Sequence, residues 1–282
     1  MRVGEWLAAH HDLDRFDRDL LLCAATGLSR ARLLTHPEQP LDAEALAALD
    51  AWVDRRRRGE PVAYLLGRQG FRDFELDVSS DVLIPRPETE LLVEQVLAAL
   101  PTVGHDQPRV LDLGTGSGAI AIAVALAAPH AQVTGVDVSA AALQVAAGNA
   151  RRLGATVAWL QSDWYAAVAG SFDIIVSNPP YVAEHDPHLD ALAFEPRLAL
   201  VGGEDGLDAL RTIIAGAAAR LRPGQGPRSD GQPGAPSWLM LEHGYDQSAA
   251  VVELLSASGF DQVTTVRDLA GHLRVAVAQR AA

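Results

Sequence analysis

Val110-Leu111-Asp112-Leu113-Gly114-Thr115-Gly116-Ser117-Gly118-Ala119 reads as a buried strand running into a glycine-rich turn and then a helix. The apolar run from Val110 to Leu113 suits a strand covered on both faces, and residues 119–126 continue as a helix. A structural turn rarely needs three alternate glycines. Their use is close approach of backbone to a ligand, with dihedral angles closed to larger residues. Beyond this point strands and helices alternate. Strands are expected at residues 132–136, 157–161, 172–176, 238–241, 262–267 and 273–278, the last two as a hairpin around Gly271. Helices are expected from a Ser139 cap to Gly154 and over residues 207–221. The pattern is that of an α/β fold, a mostly parallel sheet with helices on both faces.

The turn has two candidate ligands. Gly114, Gly116 and Ala119 also satisfy the loose dinucleotide fingerprint, and Asp137, ending the next strand, would hold a ribose hydroxyl pair in either case. Spacing alone does not separate them. Asp112 does: an acid two positions before the first glycine suits the ammonium of a methionine moiety and would repel a pyrophosphate. Gln161-Ser162-Asp163-Trp164, ending the third strand, adds an acceptor and an aromatic wall suited to an adenine ring. Simple core packing is the plain alternative for Trp164. The expected cofactor is therefore S-adenosylmethionine, leaving S-adenosylhomocysteine, with Asp112, Gly114, Thr115, Gly116, Ser117, Gly118, Asp137, Asp163, Trp164 and Asn178 around it.

The segment Phe172-Asp173-Ile174-Ile175-Val176-Ser177-Asn178-Pro179-Pro180-Tyr181 delivers N-P-P-Y to the carboxyl end of a strand, where open α/β sheets bind ligands. Two prolines stiffen the loop and bring carbonyls without N–H groups of their own. Asn178 offers a side-chain acceptor and Tyr181 an aromatic face, a cradle for a planar NH2 group. Asn178, Pro179 and Tyr181 are the expected catalytic residues, acting by orientation and electrostatics rather than as a base. His185, Asp186 and His188 nearby are expected to be solvated loop residues.

Upstream, residues 1–70 read as helices. Leu46, Leu49, Trp52 and Val53 share one face of a helix that Asp42 would cap; an earlier helix carries Leu20, Leu21 and Ala24 and ends at Gly27; a short one runs from Pro61 to Gly67. Residues 71–90 alternate like strands and then pass through Leu83-Ile84-Pro85-Arg86-Pro87-Glu88-Thr89-Glu90 into a helix, a linker ahead of a second domain at 91–282. Arg222 to Ser237, rich in Gly, Pro and Ser, is expected to be a mobile surface loop.

With 49% hydrophobic and 21% charged residues, the 282-residue chain has material for a sizeable core. Its net charge of −13 argues against a nucleic-acid backbone as main partner. The run Arg55-Arg56-Arg57-Arg58 is read as the solvated end of a helix. All basic residues besides histidine are arginine, which excludes a lysine nucleophile or Schiff base. One cysteine, Cys23, forms no internal disulfide, and no Cys/His cluster has zinc spacing, so no metal is expected. The N-terminus does not read as a signal peptide and no apolar run approaches the ~20 residues of a membrane span. A cytoplasmic monomer without membrane association is expected.

These motifs resemble the HemK/PrmC family, the N5-glutamine methyltransferases of peptide chain release factors, over nearly the whole chain. The residues that carry the resemblance are Pro61–Gly67 (P-V-A-Y-L-L-G), L-I-P-R-P-E-T-E at 83–90, D-L-G-T-G-S-G, N-P-P-Y, Glu195-Pro196, Gly202-Gly203, Asp205-Gly206-Leu207, and E-H-G-Y-D-Q at 242–247. The resemblance implies a helical substrate-recognition domain (1–70), a β-hairpin linker (71–90) and a Rossmann-like, class I methyltransferase domain with a seven-stranded sheet (91–282). It also implies release factors as protein substrate, a Gly-Gly-Gln glutamine bound by Asn178, Pro179, Pro180 and Tyr181 in a cleft between the domains, and Arg86, Pro87, Glu88 and Thr89 at the pocket entrance. Ala183 and His243 depart from the family's usual proline and aliphatic residue. The motifs also suit a ribosomal-protein glutamine methyltransferase. A DNA or RNA adenine methyltransferase would share N-P-P-Y but should bring a basic face. A nicotinamide dehydrogenase would leave Asp112 and N-P-P-Y idle, and a non-catalytic scaffold would not need both motifs.

Overall fold

The structure is a computed structural model and describes residues 1–223 and 235–280. Most of the expected loop between Arg222 and Ser237 lies outside the described residues. The chain divides into two compact units, Met1–Arg68 and Gln69–Ala282.

The first unit is helical: α1 (Val3–Ala9), α2 (Arg15–Thr26), α3 (Arg30–Thr35), α4 (Ala43–Arg57) and α5 (Val62–Leu66). Local chemistry sets the ends. The Asp14 and Asp42 carboxylates accept the free N–H groups at the starts of α2 and α4, and Gly27 and Gly67 close α2 and α5 in the left-handed region. Trp6, Leu21, Leu22, Leu33, Leu49 and Val53 are buried together. Leu46 and Trp52 pack around them half-buried, as their helical spacing predicts. The arginine run ends α4 as expected, but three of its guanidiniums are engaged. Arg55 pairs with Glu60 at 2.5 Å, Arg56 with Asp17 at 2.6 Å and Arg57 with Asp12 at 2.9 Å.

At the boundary stands a hairpin, β1 (Arg68–Phe71) and β2 (Phe74–Asp77), and the second unit continues with α6 (Glu88–Ala99). Thereafter come β3 (Arg109–Leu113), α7 (Ala119–Ala127), β4 (Gln132–Asp137), α8 (Ala140–Leu153), β5 (Ala158–Gln161), β6 (Ile174–Ser177), α9 (Asp208–Arg220), β7 (Trp238–Glu242), α10 (Ser248–Ala257), β8 (Phe260–Arg267) and β9 (Leu273–Arg280). The seven strands β3–β9 form one sheet in the order β5-β4-β3-β6-β7-β9-β8. The first five run parallel; β9 is antiparallel to β7, and β8 to β9. Strand residues alternate between two cores. Val110, Ile174, Val176 and Met240 pack with α6 and α7, while Leu111, Ile175, Leu239 and Leu241 pack with α9 and α10. Burial on both faces is why these strands read as continuous apolar runs.

Two differences from the sequence expectation have physical causes. The sequence pattern indicates no element at residues 248–257, yet α10 forms there and buries Val251 and Leu255, one turn apart. Its short span and Val-Val pair hide that period. The strand expected from Phe172 is regular from Ile174; ahead of it Phe172 bridges to Leu221, and Asp173 accepts from the Arg109 N–H and the Arg222 guanidinium through its carboxylate.

A buried amide helps fasten the hairpin to the sheet. Asn149 on α8 accepts from the Asp77 N–H (2.7 Å) and donates to the Asp77 carbonyl (3.0 Å) and to Ser117 O of the glycine turn (3.0 Å). Removing it strands three backbone groups. Asn149→Ala should therefore cost about 2–4 kcal/mol of stability; an unchanged denaturant midpoint would contradict this role.

Candidate active site

The chain leaves β3, in mid-sheet, to β4 and β5 on one side and returns to β6 on the other. This reversal opens a crevice at the carboxyl ends of β3, β4 and β6, where ligands of such sheets bind. The glycine turn, Asp137 and Asn178 all stand there. A cavity of about 530 Å³ occupies the place. Gly114, Gly116, Asp137, Asp163, Trp164 and Asn178 line it, with Pro180 beside them. The volume is within the range of small-molecule sites.

Gly114, Gly116 and Gly118 have φ of 70°, 55° and 85°. The left-handed turn aims the Gly116 N–H at Asp137 Oδ2 (2.9 Å), while Oδ1 accepts from Ser139 N–H (2.9 Å). A Cβ on Gly118 would lie 2.9 Å from Ile122, 3.1 Å from Trp159 and 3.2 Å from Ala146, so glycine is also what seats α7 against its neighbours. The Trp164 indole stands against Gly114, 3.7 Å from where a Cβ would be. It holds a left-handed φ of 44°, rare for a bulky side chain, and also packs on the core beneath.

Thr115, Ser117, Gly118 and Asp112 do not border the cavity; they shape the turn from behind. Asp112 is fully buried. Its Oδ2 accepts from the Thr115 hydroxyl (2.6 Å) and Ala121 N–H (3.2 Å), and Oδ1 has no partner. Burial, with a smaller push from Asp137, raises its carboxyl to about 7.

On the other side of the crevice, the Asn178 Nδ2 donates to the Thr89 hydroxyl (3.0 Å). Thr89 donates to Glu242 Oε2 (2.8 Å), and the Tyr181 hydroxyl donates to Glu242 Oε1 (3.2 Å). Asn178 Oδ1 is buried without a partner, on a residue that lines the cavity. Pro179 and Tyr181 do not border the cavity. The Tyr181 ring packs on the core beneath, and its expected use as a stacking surface is not the contact seen. His188 and Asp186 pair with each other in an exposed loop.

Arg86, Pro87, Glu88 and Thr89 do not border the cavity either. Arg86 pairs with buried Glu195, whose other oxygen accepts from Ile84 N–H (3.0 Å). Pro87, Glu88 and Thr89 start α6, and Thr89 reaches Asn178 from below. The cavity instead takes Asp81, Val82 and Leu83 and, from the stretch after Glu195, Pro196, Leu198, Ala199, Val201, Gly202 and Gly203; Glu195 itself bonds Ile84 and Arg86, just past the first segment. Gly202 is needed there: a Cβ would stand 2.5 Å from Pro180 O and 2.7 Å from Gly206 O. Sequence reasoning assigned no role to Glu195 or Glu242, although both stand in quoted motifs. Glu242 ends a strand at the ligand-binding edge, which was the available signal. Among the described residues no group of His, Cys, Asp and Glu is arranged to hold a metal ion, and no helix is long and apolar enough to cross a membrane.

Residues 5–67 match the PrmC N-terminal domain and residues 86–194 the methyltransferase small domain. A release factor glutamine methyltransferase of Xylella fastidiosa is 50% identical over 274 residues, covering 96% of this chain and 94% of its own. Another, of Pseudomonas aeruginosa, is 49% identical over 269 residues, covering 94% and 92%. The chain belongs to the release factor glutamine methyltransferase family. In fold, it is similar to the crystal structure of a methyltransferase from Pyrococcus furiosus, with a TM-score of 0.53 at 17% identity, covering 83% of this chain and 100% of the other. The family's N-terminal match falls within the first helical unit, and the second match spans both the glycine turn and N-P-P-Y.

Asp112 makes folding depend on pH. Its carboxyl rises from 3.8 to about 7 on folding, so the folded chain takes up a proton between those values. The stability involved is fully present below the unfolded value and is lost as pH rises through about 7. Without ligand, Asp112→Asn should melt several degrees above the wild type at about pH 8, with the gap narrowing as pH falls and closing near the unfolded value of 3.8. A gap independent of pH would contradict the buried, protonated acid.

Proposed function

We propose that this chain transfers the methyl group of S-adenosylmethionine to the side-chain amide nitrogen (N5) of the glutamine in the Gly-Gly-Gln motif of peptide chain release factors, leaving S-adenosylhomocysteine. The observation that carries this is the buried, unpartnered Asn178 Oδ1, on a residue that lines a cavity shared with the glycine turn. The names of relatives about half identical over nearly the full chain support the substrate.

The residues present fit the cofactor. Gly114 to Gly118 give backbone approach, Asp137 keeps lone pairs for a ribose diol, and Asp163 with Trp164 suits an adenine. Asp112 does not border the cavity; behind the turn it keeps one oxygen unpartnered, and its assignment to the methionine ammonium stands as a proposal. When bound, S-adenosylmethionine supplies a methyl group already activated on a sulfonium.

The protein then has to aim a poor nucleophile. An amide nitrogen shares its lone pair with the carbonyl, and hydrogen bonds from its two hydrogens to fixed acceptors both orient it and return electron density to it. Asn178 Oδ1 is the first acceptor; the Pro179 carbonyl, on a residue set back from the cavity, is the proposed second. Neither needs to remove a proton before transfer; once the methyl is attached the nitrogen gives up one of its two hydrogens as a proton to water, so the contribution is preorganisation. Residues 1–70 are assigned to substrate recognition, residues 71–90 to linking and residues 91–282 to catalysis. Arg86 to Glu88 keep their assignment near the substrate, with Arg86 held by Glu195. The acidic chain suits a protein substrate rather than a nucleic acid, and translation factors place the reaction in the cytoplasm, with the enzyme acting as a monomer.

The test is methyl transfer from labelled S-adenosylmethionine to unmethylated release factor, with ribosomal protein and DNA in parallel. Label on release factor alone supports the assignment; label on either of the others in its place refutes the substrate. In the same assay Asn178→Ala should lower turnover by about 100-fold or more while cofactor affinity stays within about threefold. Asp137→Ala should instead weaken cofactor binding about 10- to 100-fold by calorimetry, the loss expected for a charged hydrogen-bond acceptor. Turnover that survives Asn178→Ala would contradict the cradle.

A further inference from the structure

Resting on the function proposed above, one more group is implicated by the geometry behind Asn178. A carboxamide has two ends of nearly the same shape, one accepting and one donating, and the partner of one end decides which way the other faces. Here the partner is Thr89, itself 4% exposed and bonded to fully buried Glu242 at the end of β7.

We propose that Glu242 is the positioning residue of this site: acting through Thr89, it commits the Asn178 carboxamide to present its oxygen to the substrate, and through Tyr181 it holds the loop that carries it.

The argument follows the hydrogens. The Thr89 hydroxyl has a single hydrogen. A carboxylate only accepts, so an ionised Glu242 draws that hydrogen to Oε2 and leaves Thr89 lone pairs for the Asn178 N–H. Oδ1 is then turned away from Thr89, the arrangement in the structure. A protonated Glu242 can donate to Thr89 instead. That frees the hydroxyl hydrogen to seek the Asn178 oxygen, and the carboxamide reverses. It would then offer N–H groups to a substrate NH2 that can only donate. The protonation state of one buried acid therefore sets the polarity of the whole chain.

The surroundings bring that acid into play near neutrality. Burial raises the Glu242 carboxyl to about 7, with Glu88 on α6 adding to the rise; the Thr89 and Tyr181 hydrogen bonds and Arg274 on β9 oppose it. Arg274 is shared with Asp268 and with the His243 carbonyl. His243, the next residue, is buried, and that burial lowers its imidazole below the usual value. Arg86 acts on Tyr181 and is itself bound by Glu195.

The test uses the full chain with S-adenosylmethionine and unmethylated release factor across about pH 5.5 to 8.5. Wild-type kcat should rise with pH to a plateau, with a midpoint near 7. Glu242→Gln should lower kcat at least about tenfold at the plateau and abolish the rise, with cofactor Kd and release-factor KM within about threefold. Thr89→Val should behave alike, and Thr89→Ser should restore both rate and pH profile. An unchanged kcat and acid limb in Glu242→Gln would overturn the proposal.

A readout without substrate separates the two claims. The side-chain amide nitrogen resonance of Asn178, assigned by its loss in Asn178→Ala, should titrate in the wild type and not in Glu242→Gln. If that titration is seen but no methyl reaches the release factor, the functional assignment fails and the positioning role stands. A wild-type resonance indifferent to pH overturns the positioning role.

Discussion

A buried carbonyl oxygen without a partner costs a folded protein about 1–3 kcal/mol, and Asn178 Oδ1 is such an atom. The surrounding structure keeps it in that state. The other end of the amide is taken by Thr89, Thr89 by Glu242, and the remaining Glu242 oxygen by Tyr181. With those partners assigned, the carboxamide has no internal reason to turn. The acceptor is satisfied when a donor enters the cavity, and an amide NH2 is a donor of the right kind. Stability given up in the empty protein is thereby recovered on binding, the trade expected of a binding site.

The fold supplies the rigidity this requires. β6 carries Asn178 out of the middle of the sheet, with its last residue bonded from the Ser177 hydroxyl to Leu113 O at 2.6 Å. That contact sets the N-P-P-Y loop against the strand that begins the glycine turn, so the two halves of the site share one mounting. Asn149 ties the turn to the hairpin, and Glu195 ties residues 84–86 to the stretch that follows N-P-P-Y. Gly202 lets two loop backbones approach where a methyl group would not fit. Asn149 and Glu195 each join segments far apart in sequence, and each is bonded on more than one side.

How much of this was legible in the sequence depends on range. Local signals were read correctly: the Asp42 and Ser139 caps, the glycine stops at 27, 67 and 154, and the apolar strand runs all stand where their chemistry predicts. The parallel order follows from alternation of strand and helix. Gly114, Gly116, Asp137, Asp163, Trp164, Asn178 and Pro180 converge on one cavity because each ends a strand at the same edge. What escaped is what only tertiary contact creates. Thr89 was read as pocket lining, yet it works from beneath, since α6 packs under the loop. Arg86 was read the same way and is held by Glu195, more than a hundred residues away. Glu242 carries no local sign of burial, because a glutamate ending a strand is usually solvated. Tyr181 was read for its ring, and the structure engages its hydroxyl.

The central claim is that Asn178 meets the substrate with its oxygen while its nitrogen stays on Thr89. Neutron diffraction from deuterated crystals of the enzyme with S-adenosylhomocysteine and a Gly-Gly-Gln peptide would show both ends directly, since it distinguishes the deuterated nitrogen from the oxygen. The account predicts a deuterium of the glutamine amide pointing at Asn178 Oδ1 across a separation of about 3 Å, with Asn178 Nδ2 still donating to Thr89. A reversed Asn178 carboxamide, or a glutamine amide seated away from it, would contradict the account.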